Sequence, residues 1–146
     1  MSRNIIFTCS PTLLNRREGL STALVFKALQ LDACSSVEPS KLLDAFQGTG
    51  ALSAAQAAFL VNDLEKPAFV CNPNLLSLKD KIVAEISGAS GVMMSGSGTS
   101  IYAVVDSAVS SDCISVGVKA ILECFPTVQH FESDFLNKEN DLLSWY

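Results

Sequence analysis

The residues best suited to chemistry in this 146-residue chain form one run, Met94-Ser95-Gly96-Ser97-Gly98-Thr99-Ser100. Two glycines two positions apart let a backbone turn sharply and let a ligand approach it closely. Successive N–H groups in such a turn can converge on an anion the size of a phosphate. Ser95, Ser97 and Thr99 add hydroxyl donors to the same few residues. No Gly-Lys-Ser/Thr follows, so the run is not a P-loop. No third glycine follows either, and the next stretch reads as a strand, so it is not a dinucleotide fingerprint. On composition alone, a tight hairpin turn is the better account. The other reactive side chains are dispersed. Cys9, Cys34, Cys71, Cys113 and Cys124 form no C-x-x-C pair, and His130 is the single histidine. That set argues against a zinc centre. The thiols are expected to be free, buried or half-buried, in a reducing compartment. His130 stands beside an apolar run and reads as structural.

The glycine run needs elements to hold it. Apolar residues before it (Gly91 to Ser95) and after it (Ser100 to Asp106) predict strand, loop, strand. An earlier strand is predicted at Ile5 to Cys9, ended by Ser10-Pro11, with a polar turn at Asn15 to Gly19. Ser21-Thr22 stands directly before ALVFKAL, and small hydroxyl residues there accept the unpaired N–H groups of a first helical turn. That helix is expected to reach about Leu31. A second helix starts at Glu38-Pro39-Ser40, with Leu42, Leu43 and Phe46 inward, and stops at Gly48 to Gly50. A third is expected over roughly Ser53 to Glu65, ending before Pro67. A fourth opens at Pro73, with Leu75, Leu78, Ile82 and Ile86 at three- and four-residue steps, and ends at Ser87-Gly88. A fifth is expected from about Ser107 to Cys124, with Val109, Cys113, Val116, Ala120 and Cys124 on one face and Pro126 as its stop. Val128 to Phe131 can form a last strand, and the only Trp, Trp145, lies in the tail from Asn137 to Tyr146. The order implies an α+β fold, a small and mostly antiparallel sheet covered by helices.

Composition narrows the function classes. Hydrophobic residues make up 49% and charged residues 17%, the reverse of a disordered chain. Ten basic against fifteen acidic residues leave a net charge of −5, without a basic cluster for nucleic acid or anionic membrane. The longest apolar stretch, Ala51 to Val61, is interrupted by Ser53 and Gln56, whereas a bilayer span needs about 20 residues. The apolar run in MSRNIIFTCS is too short for a signal peptide, and the segment lacks the length of a transit peptide. One core is expected from this length, and the high apolar share suggests a face made for a partner.

The flanks of the glycine run add a resemblance. The block GVMMSGSGTSIYAVV (91–105) resembles the third, C-terminal motif of the GHMP kinase superfamily, which includes galactokinase, homoserine kinase and mevalonate kinase. Four more stretches are similar to members of that superfamily, in the same order: GLSTALVFKAL (19–29), NDLEKPAF (62–69), the Leu- and Lys-rich segment Leu75 to Ile82, and the ending from Phe131 to Trp145-Tyr146. Within the superfamily, the branch they resemble acts on 4-diphosphocytidyl-2-C-methyl-D-erythritol in non-mevalonate isoprenoid synthesis. The ending is similar to plant and algal plastid forms.

The resemblance implies a ferredoxin-like α+β sandwich over residues 1–146, the superfamily's C-terminal domain. It implies a phosphoryl transfer from ATP, with Mg²⁺ on the phosphates, to the 2-hydroxyl of that substrate. It assigns Ser95, Gly96, Ser97, Gly98 and Thr99 to phosphate and Thr22 to the methylerythritol end of the substrate, although Thr22 could equally cap its helix. Asn62 and Asp63 could orient a domain interface, but a polar pair at a helix end is the simpler reading. The superfamily's Gly-Leu-Gly-Ser-Ser-like ATP loop and its catalytic Asp and Lys belong to an N-terminal half that these 146 residues do not contain. Glu18-Gly19-Leu20-Ser21 is only a faint echo of that loop. The missing half is the expected packing partner, and the chain alone is expected to be inactive. Trp145 and Tyr146 are expected to pack the tail rather than bind cytosine. The resemblance of the tail implies a plastid; otherwise the location is cytoplasmic. Two alternatives stand beside this reading: another GHMP kinase of the homoserine or mevalonate type, and a non-catalytic ferredoxin-like ligand-binding module.

Overall fold

In the computed structural model, residues 3–9, 20–41, 44, 60–106 and 108–134 are described. Their strands are β1 (Arg3–Cys9), β2 (Ala89–Met94), β3 (Ser100–Val105) and β4 (Val128–Asp134). The helices are α1 (Thr22–Ala28), α2 (Glu65–Cys71), α3 (Pro73–Glu85) and α4 (Ser111–Cys124), with a 3₁₀ turn at Leu31–Ala33. The four strands form one sheet in the order β2-β3-β1-β4, with every neighbouring pair antiparallel. Thus β1 and β2 run parallel with β3 between them, and β3 and β4 run parallel with β1 between them. Two split βαβ units interleaved in this way are the ferredoxin-like topology.

The core lies between this sheet and α3 and α4. Leu75, Leu78 and Ile82 are fully buried on α3, and Ile86 follows just beyond its end. They meet Met94, Ile101, Ala103 and Val105 from the β2–β3 hairpin. The three- and four-residue spacing of the α3 set puts it on one face, as the sequence implies. Pro73 opens α3 where an N–H has no helical acceptor, and the Asn72 side chain accepts from Asn74 N at 3.2 Å. The second helix start also matches, since Pro39 begins helical backbone at 39–41 and 44. Leu42, Leu43, Phe46, the 48–50 stop, the 10–19 turn, and Trp145 and Tyr146 lie outside the described residues.

Six expectations change. The first helix ends at Ala28, not Leu31, and its last residues give way to the 3₁₀ turn. Ser21 occupies the cap position with extended backbone but makes no side-chain cap bond; its carbonyl accepts from Leu24 N and Val25 N instead. Of the helix expected over Ser53 to Glu65, residues 53–59 lie outside the described residues; residues 60–64 are not helical, and a helix begins at Glu65 and contains Pro67. Pro67 is its third residue, and first-turn N–H groups have no intrahelical acceptor, so a residue without an N–H fits. Helix α4 starts at Ser111 rather than Ser107, because Ser110 caps it by accepting from Cys113 N at 3.3 Å. Its buried face is Ile114, Gly117, Val118 and Ile121, whereas Val116 is 70% exposed and Cys113 and Cys124 are exposed. Two isoleucines and a valine bury more apolar area than the Cys-Ala-Val face, and Gly117 lets α4 close on α3 at the Glu85 carbonyl. The cysteines follow suit: Cys34 is half-buried, but Cys71, Cys113 and Cys124 are exposed free thiols. No helix among the described residues is long and apolar enough to cross a membrane.

Candidate functional site

Antiparallel pairing of β2 with β3 brings Met94 opposite Ile101 and leaves 95–99 as the hairpin connection. Ser95 N donates to Ser100 O at 2.8 Å, closing the hairpin. Inside it, Gly98 N donates to Ser95 O at 3.2 Å, a four-residue turn whose first central residue is Gly96 at φ +56°. Left-handed backbone at that position suits glycine, so Gly96 is explained by the turn itself. Gly98 is not. A Cβ there would meet nothing nearer than Ser95 O at 3.7 Å, an ordinary contact, and its φ is outside the left-handed region. The chain's own packing does not require a bare residue at 98. Among the described residues, no acceptor takes the N–H groups of Gly96, Ser97 or Thr99. The loop thus offers three backbone donors beside a position without a side chain.

Two distant segments hold this loop. Ser97 Oγ donates to Thr22 Oγ1 at 3.0 Å, which joins the loop to the first residue of α1 across 75 positions of sequence. Thr22 and the glycine loop, named separately in the sequence, are therefore neighbours. Asn62 holds the other side: its Nδ2 donates to Met94 O at 2.7 Å and to Gly96 O at 2.8 Å. Its Oδ1 accepts from Leu64 N at 3.0 Å and turns the chain into α2. One amide thereby serves both the helix start and the loop.

Glu65, three residues on, reaches the exposed edge of β2. Its Oε1 accepts from Met94 N at 2.8 Å, a donor that an edge strand would otherwise leave unpaired. Lys79 of α3 neutralises that carboxylate at 2.6 Å, and its ammonium stands 5.9 Å from the Phe69 ring centroid. Tyr102, on β3 beside this corner, has its phenol pushed above the usual value, first by burial and then by the Glu65 charge. Asp63 faces away from the loop and accepts from Ser35 N at 2.8 Å, tying down the chain after the 3₁₀ turn. Asn62 and Asp63 are therefore a pair at a helix start, not at a helix end. The grip of Asn62 on the loop is not legible in the sequence; an Asn-Asp turn four to five residues before a first-turn Pro is the available signal. His130 lies exposed on β4, at the opposite edge of the sheet from β2, and takes no part in this site.

Comparison with known proteins fits this geometry. The family model described as GHMP kinases C terminal matches residues 40–115, over half of the chain and spanning the loop. The chain belongs to the GHMP kinase C-terminal family. It is 41% identical over 93 residues to the 4-diphosphocytidyl-2-C-methyl-D-erythritol kinase, chloroplastic, of Arabidopsis thaliana, which covers 63% of this chain and 23% of that protein. It is 39% identical over 101 residues to the chloroplastic/chromoplastic kinase of the same name from Solanum lycopersicum, covering 68% of this chain and 24% of that protein. The GHMP domain thus spans about a quarter of the length of these relatives. In structure it is similar to a homoserine kinase from Cytophaga hutchinsonii, with a TM-score of 0.53 at 17% identity, over 91% of this chain and 41% of that one. At that identity the likeness is one of fold, and it agrees with the ferredoxin-like topology.

Proposed function

We propose that this GHMP domain is the C-terminal part of an ATP-dependent kinase that phosphorylates the 2-hydroxyl of 4-diphosphocytidyl-2-C-methyl-D-erythritol. The observation that carries the reading is the glycine loop: three amides with no acceptor among the described residues flank a glycine that its own surroundings do not require. Such a loop suits an oxyanion, because N–H groups aimed at a phosphate stabilise charge without reorganising. Ser95, Gly96, Ser97, Gly98 and Thr99 are assigned to the phosphate side. The Thr22 hydroxyl, already bonded to Ser97, is assigned to the substrate side. The names of the plant relatives favour the cytidyl substrate and a plastid location. The homoserine kinase likeness, at 17% identity, supports only the fold.

Phosphoryl transfer depends on positioning and on charge neutralisation. ATP would bring the transferable group, and Mg²⁺ would supply neutralisation of the phosphate charge. Among the described residues, no group of three or more His, Cys, Asp or Glu is placed to hold a metal ion. The preceding domain is the expected packing partner.

The test is a substrate panel. A full-length kinase carrying this domain is assayed with MgATP and 4-diphosphocytidyl-2-C-methyl-D-erythritol, homoserine or mevalonate, beside the 146-residue chain alone. Turnover of the cytidyl compound by the full-length protein and none by the chain alone is expected. Preference for homoserine or mevalonate would overturn the substrate assignment.

A further inference from the structure

The Asn62–Glu65 segment is not assigned to any chemistry, yet its side chains make three hydrogen bonds to the glycine hairpin. We propose that Asn62 is a positioning residue, whose side-chain amide presets the 95–99 loop to receive an anionic phosphate. The proposal rests on the phosphate reading of that loop. Its two donors seize Met94 O and Gly96 O, one on each side of Ser95. Two carbonyls bound to one nitrogen cannot rotate independently, so the Met94–Ser95 and Gly96–Ser97 peptide planes are fixed. With the Gly96 carbonyl turned toward Asn62, the N–H of the same peptide plane, that of Ser97, is turned away from it and left open. Glu65 supports the arrangement from behind by accepting Met94 N, and Lys79 holds Glu65. The loop is thereby shaped before any ligand arrives, which lowers the ordering cost of binding.

Asn62→Asp separates the two roles of the residue. The carboxylate keeps an acceptor for Leu64 N, so the start of α2 survives, but it cannot donate to Met94 O or Gly96 O. The 146-residue chain and the variant are compared by amide-resolved NMR. Hydrogen exchange is read at Ser95 and Gly98, and inorganic tripolyphosphate is titrated to millimolar concentrations. The wild type is expected to show saturable shifts at Gly96, Ser97 and Thr99. The variant is expected to exchange at Ser95 and Gly98 about tenfold faster, with Ile82 in α3 unchanged, and to bind tripolyphosphate about tenfold more weakly, on the scale of one or two net hydrogen bonds. Should Asn62→Asp fail to fold, Asn62→Ser serves for the same comparison. A variant that binds tripolyphosphate as the wild type does, with unchanged loop exchange, overturns the positioning role. A wild type without saturable shifts overturns the phosphate reading itself, so the two failures are told apart.

Discussion

Gly96 and Gly98 differ in what the fold asks of them, and alanine at each position turns that difference into a measurement. At Gly96 the backbone sits at φ +56°, where a Cβ costs about 1–2 kcal/mol. Alanine also reduces the freedom of the unfolded chain, which returns about 0.4–1 kcal/mol. The steric cost wins, and Gly96→Ala is expected to lose roughly 0.5–1.5 kcal/mol. For a chain of this size each kcal/mol moves Tm by about 2–4 °C, so the midpoint falls by about 1–6 °C. At Gly98 no backbone cost arises, and the new methyl meets only Ser95 O at 3.7 Å. Gly98→Ala is therefore expected to leave Tm unchanged or raise it by about 1–4 °C. Its effect falls on the ligand instead: a phosphate seated against the glycine must retreat by about an ångström, and misplacement on that scale costs about a hundredfold in rate. In a full-length kinase carrying this domain, kcat/KM for MgATP is expected to drop by about that factor, and further for Gly98→Val. Thermal unfolding and steady-state kinetics on the same preparations make the check. Wild-type kinetics for Gly98→Ala, or a larger loss of Tm at 98 than at 96, would refute the argument.

Two further outcomes follow from the packing. Gly117→Ala would drive a Cβ into the Glu85 carbonyl, a backbone atom that moves only if α3 and α4 part. Overpacking of about 1–3 kcal/mol or more outweighs the ~1 kcal/mol gained in helix propensity, so a clear fall in Tm is expected, and a rise would refute the helix contact. Tyr102 is expected to ionise above its ordinary 10.0, chiefly through burial. As pH rises past 10.0 the unfolded chain releases the phenolic proton first, so stability declines from there toward the higher folded value. Ultraviolet titration of a Tyr146→Phe variant isolates Tyr102. Adding Glu65→Gln should bring the midpoint down part of the way, and no movement at all would remove Glu65 as a cause.

The parts of this fold most legible in sequence are those where one local rule acts unopposed. In α3, Pro73 and the leucine-isoleucine spacing point the same way, and the helix runs as they imply. The β2–β3 hairpin was equally plain from two apolar runs around glycines. The misread places are those where two rules compete. Pro67 reads as a stop, but in a first turn it is a start, and only the Asn62 turn before it decides between them. On α4 two apolar faces were available, and the choice fell to the one that lets Gly117 meet Glu85, a contact set by tertiary packing. The site shows the same division. The glycine loop and Thr22 were each visible, but their 3.0 Å contact spans 75 residues and no local pattern encodes it.

That long-range contact bears on how the domain could act. The loop is fixed by side chains from two segments: the start of α1 through Thr22, and the start of α2 through Asn62. Neither bond uses the N–H groups of Gly96, Ser97 and Thr99, which have no acceptor among the described residues. A hairpin that served only as a turn would gain nothing from having its carbonyls held from outside, because the bond from Ser95 N to Ser100 O already closes it. Bracing the carbonyls while leaving those amides without an acceptor among the described residues yields an array of donors with a fixed direction. Fixed donors stabilise charge better than donors that must first turn toward it. On the proposed phosphate reading the bracing is preparation for an anion, and that reading predicts that loosening either brace weakens anion binding more than it weakens the fold.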